Sequence, residues 1–197
     1  MPRINRLREK RKELLPVVAR AFTELGYRRA TTAQIAQRCG VQENILYRLW
    51  ADKKAMYIAA IDYVYELSEQ VWLKLLSKDG SNVSTARRLL EFESKHHGEF
   101  GHYRIIFNGL VEADDPDVRD ALRRMFQRFH RFLEAQIVAH RRGRKRREHP
   151  SAALTAWAVI GLGTAVNIGH ELGLLQEPDR SRLIRDVGGE LLEGDTA

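Results

Sequence analysis

The stretch Thr31–Lys54, TTAQIAQRCGVQENILYRLWADKK, decides the reading of this chain. Thr31 and Gln34 have the spacing of a capping box: the hydroxyl accepts from the N–H three residues on, and the Gln side chain reaches back. Ile35 and Ala36 then face inward. Cys39-Gly40-Val41 interrupts the helix, with Gly40 free to take a positive φ. A second short helix is predicted from Gln42 to Leu49, with Leu46 and either Leu49 or Trp50 packed beneath it. Asp52 caps a long helix from about Lys53 to Leu76, on the apolar stripe Met56, Ala60, Tyr63, Leu67, Val71 and Leu75. Two short helices around a tight turn, with basic residues on both sides, are the arrangement by which a small protein places one helix in a DNA groove.

Outward from this stretch the pattern is helical throughout. No segment shows sustained period-two alternation bounded by hairpin turns. The fold class is all-α, with about nine helices. Upstream, a helix ends near Glu24 and buries Leu14, Val18, Ala21, Phe22 and Leu25, with Gly26 as its left-handed stop. Pro16 leaves two alternatives open. The helix starts near Glu13, with Pro16 in the tolerated first turn and Pro2 to Lys12 a mobile basic arm, or it starts earlier and bends at Pro16. Downstream, Asp79-Gly80-Ser81-Asn82 reads as a loop. A helix follows from about Ser84 toward Phe100, and a short one around Tyr103 to Val111. Asp114-Asp115-Pro116-Asp117 opens a helix reaching about His140, with a cap, a proline in the first turn and acids at the positive dipole end. Pro150 opens a helix to about Leu174, and Pro178 opens the last, to about Leu192.

Charge is distributed unevenly over the 197 residues. Residues 1–54 hold thirteen Lys/Arg and five Asp/Glu; the rest of the chain holds twenty and twenty-one, within a total net charge of +7. All the positive excess therefore lies in the first quarter, as expected of a polyanion-binding head on a near-neutral body. A single cysteine, Cys39, excludes an intrachain disulfide and fits a reducing, cytoplasmic compartment. The basic N-terminus lacks the apolar core of a signal peptide. Thr155, Thr164 and Asn167 interrupt the one long apolar run, Ala152 to Gly169, so no membrane partner is expected.

The residues from about Leu14 to Met56 resemble the DNA-binding domain of the TetR family of transcriptional repressors. The resemblance rests on AFTELGY, TTAQIAQRCGV, ILYRLW and DKKAM, in register over about forty residues. The rest of the chain resembles the family only in length and helical character. Three positions depart from the pattern. Gln42 stands where Ser or Thr caps the recognition helix, Ile45 where a small residue or Thr is common, and Leu49 where His or Tyr is frequent.

The resemblance implies two domains: residues 1–52, a helix-turn-helix head, and 53–197, a ligand-binding and dimerisation body. In such a head the second helix enters the major groove N-terminus first. Gln42, Glu43 and Asn44 are then the candidate base contacts, since Gln and Asn pair with adenine and Glu accepts from cytosine N4. The candidate phosphate contacts are Arg28, Thr31, Tyr47, Arg48 and Lys53. Tyr47 donates to phosphate, packs in the core, or both. Arg48 is either a contact or a solvated charge. Lys53 sits where a helix dipole and an ammonium both attract phosphate. Cys39 reads as a buried structural thiol.

One head reads one half-site, so a homodimer on a palindromic operator is expected. Gly161, Ala165 and Gly169, spaced for close helix approach, and Leu183, Val187 and Leu191 of the last helix are the candidate interface. A small-molecule effector is expected among Trp72, Phe92, Phe100, Tyr103, Phe107, Phe126, Phe129 and Trp157. No cofactor or metal is expected. His96, His97, Glu99 and His102 cluster in sequence but lack metal-ligand spacing. The run Arg141 to Arg147 reads as a solvated basic loop. No nucleophile–base pair or carboxylate motif suggests an enzyme. The expected function is a ligand-released repressor; the competing class is a ligand-independent architectural DNA-binding protein.

Overall fold

The structure is a computed structural model that describes residues 3–77, 83–98, 101–142 and 150–193. Among these residues there are nine helices and no strand: α1 (Arg3–Leu25), α2 (Thr32–Arg38), α3 (Glu43–Leu49), α4 (Lys53–Leu76), α5 (Thr85–His96), α6 (Tyr103–Val111), α7 (Pro116–Arg141), α8 (Ala152–Glu171) and α9 (Glu177–Glu193). The predicted loop 79–82, the end of the helix predicted toward Phe100, and residues 143–149 of the basic run lie outside the described residues.

Two compact units result: Met1–Leu67 with Phe100–Met125, and Ser68–Glu99 with Phe126–Ala197. In the first, α1 packs on α2, α3 and α6. Its centre is apolar, with Val18, Phe22, Ile35, Leu46, Met56, Tyr57, Ile61 and Ile105 fully buried. Phe22 meets the Tyr57 ring edge-on at 5.0 Å, and Tyr27 lies 4.6 Å from Tyr57. The Tyr57 hydroxyl donates to the Ile105 carbonyl at 2.7 Å, satisfying a polar group that would otherwise be costly at that depth. Gly109 allows this approach, because a Cβ there would sit 3.1 Å from a Leu122 methyl and 3.4 Å from the Tyr57 oxygen.

Helix α1 resolves the Pro16 alternatives in favour of the earlier start. It runs unbroken from Arg3 with Pro16 inside. The carbonyl without a donor belongs to exposed Lys12, where water can replace the missing bond. Gly26 ends the helix at φ 73°, and its N–H closes on the Phe22 carbonyl at 2.9 Å.

In the second unit, α9 packs on α5 and α8. Gly188 permits the first of these approaches: a Cβ there would lie 2.5 Å from Leu90 Cδ1. Ala86, Ile137, Ala156 and Leu192 form an apolar cluster beneath. Arg141 corrects one expectation. It is the last residue of α7 and not a solvated loop residue. Its guanidinium donates to the carbonyls of Pro150 (2.7 Å), Leu191 (3.0 Å) and Leu192 (3.2 Å) and to the Thr155 hydroxyl (3.1 Å). Five fixed donors suit it to collect orphan carbonyls at helix ends.

Candidate nucleic-acid interface

The interface is built on α2 and α3. Thr31 caps α2 from an extended conformation, and the capping box is complete: Gln34 N–H donates to the Thr31 hydroxyl at 3.2 Å and Thr31 N–H to Gln34 Oε1 at 3.0 Å. The Thr31 hydroxyl proton also points at Gln34 Oε1, 3.1 Å away. Both donors of Thr31 are therefore engaged within the cap. Gly40 turns the chain at φ 63°, and Val41 N–H closes on the Ala36 carbonyl at 3.1 Å. Helix α3 then starts at Glu43. Its N-cap, Gln42, makes no side-chain cap bond, as expected where Ser or Thr is missing. Leu46 and Trp50, rather than Leu49, hold the helix from beneath, with Leu46 fully buried and Trp50 nearly so. The Arg11 guanidinium lies over the Trp50 ring, 5.5 Å from its centre, which ties α1 to the end of α3.

On the outer surface Gln42, Asn44, Tyr47 and Arg48 are exposed and Glu43 is half-buried. The structure adds a residue that sequence reasoning missed. Thr32 Oγ1 donates to Glu43 Oε1 and lies 3.1 Å from the Tyr47 hydroxyl, so these three residues form one chain across the turn. Thr32 and Glu43 are eleven residues apart, and no periodicity links them; only the angle between the two helices does.

The basic candidates occupy two kinds of place. Arg48 is exposed, and Arg28 is exposed but donates to Glu112 at 2.6 Å. Lys53 turns inward, donating to the carbonyls of Tyr27 and Ala30, each at 3.1 Å, with its ammonium 4.6 Å from the Tyr27 ring centre. Two of its three N–H donors thus close the turn after α1, leaving one. Its neighbour Lys54 donates to Asp115 (3.0 Å) and Asp117 (2.7 Å) at the start of α7. Those bonds to Asp117 and then Asp115 raise the Lys54 pKa, and the Lys54 bond is the main cause holding the Asp115 carboxyl below its ordinary value. Cys39 is half-buried rather than fully buried as expected, and desolvation still pushes its thiol up.

Comparison with known proteins places this geometry. Residues 15–60 match the bacterial regulatory proteins of the tetR family. Over 144 residues the chain is 30% identical to the nucleoid occlusion factor SlmA of Salmonella paratyphi B, covering 72% of this chain and 70% of that one. The chain belongs to the TetR family. The fold agrees along almost its whole length. A TetR-family transcriptional regulator from Cytophaga hutchinsonii superposes with a TM-score of 0.78, covering 98% of both chains at 14% identity. A transcriptional regulator from Saccharomonospora viridis, solved in complex with choline, superposes with a TM-score of 0.75, covering 92% of this chain and 96% of that one at 17% identity. The protein is a TetR-family DNA-binding regulator, and its relatives are regulators rather than enzymes.

The remaining TetR-type candidates separate. Tyr103 and Phe107 lie in the first unit, their rings 5.6 Å apart. Trp72, Phe92, Phe126, Phe129 and Trp157 belong to the second, and Phe100 lies outside the described residues. Trp72 stacks on Phe132 at 4.8 Å, meets Phe129 edge-on at 5.6 Å, and donates its indole N–H to Glu93 at 2.7 Å. Phe92 contacts the His96 ring at 4.5 Å. Trp157 is 49% exposed on α8, beside His130.

The sequence cluster of histidines is also spread among separate partners. His97 bridges Glu93 (2.8 Å) and the Gly163 carbonyl (3.1 Å), and His102 Nδ1 lies 3.3 Å from the Thr23 hydroxyl. Of the interface candidates, Gly161, Ala165 and Val187 are exposed and Leu183 and Leu191 are half-buried. Gly169 is buried under Leu175, whose Cδ1 would lie 2.5 Å from an added Cβ.

Proposed function

We propose that this protein is a homodimeric transcriptional repressor that binds a palindromic operator and is released by a small-molecule effector. The observation that carries the reading is the start of α3: a helix held rigidly by Leu46 and Trp50 presents Gln42 and Asn44 to solvent beside the Glu43–Thr32–Tyr47 chain. Gln42, Glu43 and Asn44 are the proposed base readers. Arg28, Thr31 and Arg48 of a head spanning 1–52, with Lys53 directly after it, are the proposed phosphate-side residues, and Tyr47 lies on the groove side between them and the base readers. The engaged donors of Thr31 and Lys53 make their first role positional, since they set the geometry of the turn that others use. The exposed basic turns of α1, with Arg6, Arg8 and Lys12, extend the electrostatic footprint.

The body, 53–197, supplies dimerisation and effector binding. Leu154, Trp157, Gly161, Ala165 and Ile168 form an exposed stripe along α8 at helical spacing, continued by Leu172 at its C-cap. Helix α8 is long and apolar enough to cross a membrane, with 22% of its apolar window buried. The proposed cover for this stripe is the same stripe of a second copy, joined by Val187 of α9. Gly161 and Ala165 let the helices approach, and Trp157 belongs to this face rather than to a pocket. Support for effector coupling is the Arg28–Glu112 bond, which joins the head to α6, together with the bonds that fasten the start of α4 to α6 and α7: Lys54 to Asp115 and Asp117, and Tyr57 to Ile105. A cytoplasmic location follows from the DNA target.

The similarity to nucleoid occlusion factors supports a second reading, a DNA-bound protein that needs no effector. Selecting bound DNA from a random pool separates the outcomes. A palindrome with half-sites about one helical turn apart, roughly 34–36 Å, supports the dimeric specific reading. Binding that is salt-sensitive but indifferent to sequence sinks it. An effector that loads the protein without changing operator affinity sinks the release mechanism and favours the second reading.

A further inference from the structure

Thr32 holds two polar groups on the groove side of the head, and counting protons fixes the direction of both bonds. A threonine hydroxyl carries one proton, and an ionised carboxylate can only accept. Thr32 Oγ1 is bonded to Glu43 Oε1, so the Thr32 proton is committed to Glu43. Tyr47 lies 3.1 Å from the same oxygen and must then be the donor of that second bond. The chain runs from Tyr47 O–H to Thr32 Oγ1, and from Thr32 O–H to Glu43. Tyr47 is left with lone pairs only, on a ring that is 50% exposed. Glu43 and Tyr47 are four residues apart on α3, so their oxygens share one face of the helix.

We infer that Thr32 fixes Tyr47 as a hydrogen-bond acceptor, so that Tyr47 and Glu43 together read an exocyclic amino group of a base instead of contacting phosphate. This rests on the DNA-binding reading above. A phosphate oxygen is an acceptor and offers nothing to two further acceptors. The major groove offers donors at two kinds of atom, adenine N6 and cytosine N4. Glu43 ceases to be an anomalous charge near the backbone and becomes half of an acceptor pair. Thr32 is the positioning residue: without its hydroxyl the Tyr47 proton is released to a phosphate.

The test uses the full-length protein and operators recovered from a random pool. Wild type, Tyr47→Phe, Thr32→Val and Thr32→Ser are compared on all four bases at each position. Tyr47→Phe and Thr32→Val are expected to lose about tenfold discrimination for an amino-bearing base at one position per half-site, with other positions unchanged. Thr32→Ser, which keeps the hydroxyl, is expected to retain it. Replacing that adenine by purine, or that cytosine by 2-pyrimidinone, removes the amino group. The substitution should weaken wild type and leave Tyr47→Phe indifferent, and whichever base responds identifies the amino group read. A Tyr47→Phe protein that weakens on all sequences alike overturns the inference and restores the phosphate contact. A wild-type protein with no sequence preference overturns the underlying reading as well.

Discussion

Arg28 Nε lies 2.6 Å from Glu112 Oε1, joining the turn that precedes α2 to the C-cap of α6. The Arg28 side chain is 73% exposed and that of Glu112 18%, so solvent screens the pair from the arginine side and it adds little stability. Its consequence is competition, because a guanidinium bonded to a carboxylate is withheld from DNA. Glu112→Gln is expected to leave the thermal midpoint nearly unchanged and to raise operator affinity. The slope of log affinity against log salt should steepen by about 0.9, the increment for one more neutralised phosphate. Titrations at several salt concentrations check this; an unchanged slope places Arg28 away from the backbone.

The basic turns of α1 predict the opposite change. Residues 5–13 are exposed or half-buried, and among the described residues the first buried side chain is Leu14. Replacing Arg6, Arg8 and Lys12 together by Gln should flatten the salt slope by up to roughly 0.9 for each phosphate left without its cation, without altering base preference. The same titrations and a base-resolved library measure both quantities. A changed base preference would show that α1 positions α3 instead of adding charge.

Leu46 is fully buried under α3 and has no route to relax without moving that helix. Leu46→Ala is expected to cost about 2–5 kcal/mol, measured by denaturant unfolding. A loss below about 1 kcal/mol would mean that α3 is held chiefly by Trp50 and the Glu43 chain.

Two glycines make a matched pair. At Gly188 an added Cβ would meet Leu90 at 2.5 Å, so Gly188→Ala should destabilise the monomer by about 1–3 kcal/mol. At Gly161 an added Cβ meets nothing within 4 Å among the described residues. Gly161→Arg is therefore expected to fold normally and to yield monomers in sedimentation experiments. A folded Gly161→Arg protein that remains dimeric would falsify the assignment of the α8 stripe to the dimer interface.

The His97–Glu93 pair sets a pH dependence. Burial by itself would lower the His97 pKa, but the Glu93 carboxylate, helped by the Gly163 carbonyl and opposed by Arg180, raises it above the ordinary 6.5. Burial would raise Glu93, yet its bonds from His97 and Trp72 hold it below the ordinary 4.5. A raised base contributes stability that is complete below 6.5 and lost as pH rises through its folded value. A lowered acid contributes stability that is present above 4.5 and lost as pH falls through its folded value. The gap in melting temperature between wild type and His97→Gln should thus be widest between 4.5 and 6.5 and narrow above that window. A gap that widens with rising pH contradicts an ionic pair.

Local rules make much of the fold legible. The Thr31–Gln34 box, the Gly26 and Gly40 stops, the Asp52 cap and the Asp115-Pro116 start depend on neighbours within a few residues, and all appear as read. The start of α1 is not decided locally. A proline that removes a hydrogen bond is tolerated where the freed carbonyl reaches water, and exposure is not a local property. Ring chemistry alone groups Trp157 with the other aromatics, because it does not tell a core ring from one on a surface stripe.

The sequence by itself determined the helix–turn–helix, its position in the chain and the basic charge around it, because caps, turns and charge are written in residues close together. Only the tertiary structure decided what the polar groups of that motif do. Thr32 meets Glu43 and Tyr47, Lys53 meets Tyr27 and Ala30, and Arg28 meets Glu112 across separations of 11, 15, 26, 23 and 84 residues. A hydrogen bond depends on distance and direction in space, and those are set by how α1, α2, α3, α4 and α6 pack, not by spacing along the chain.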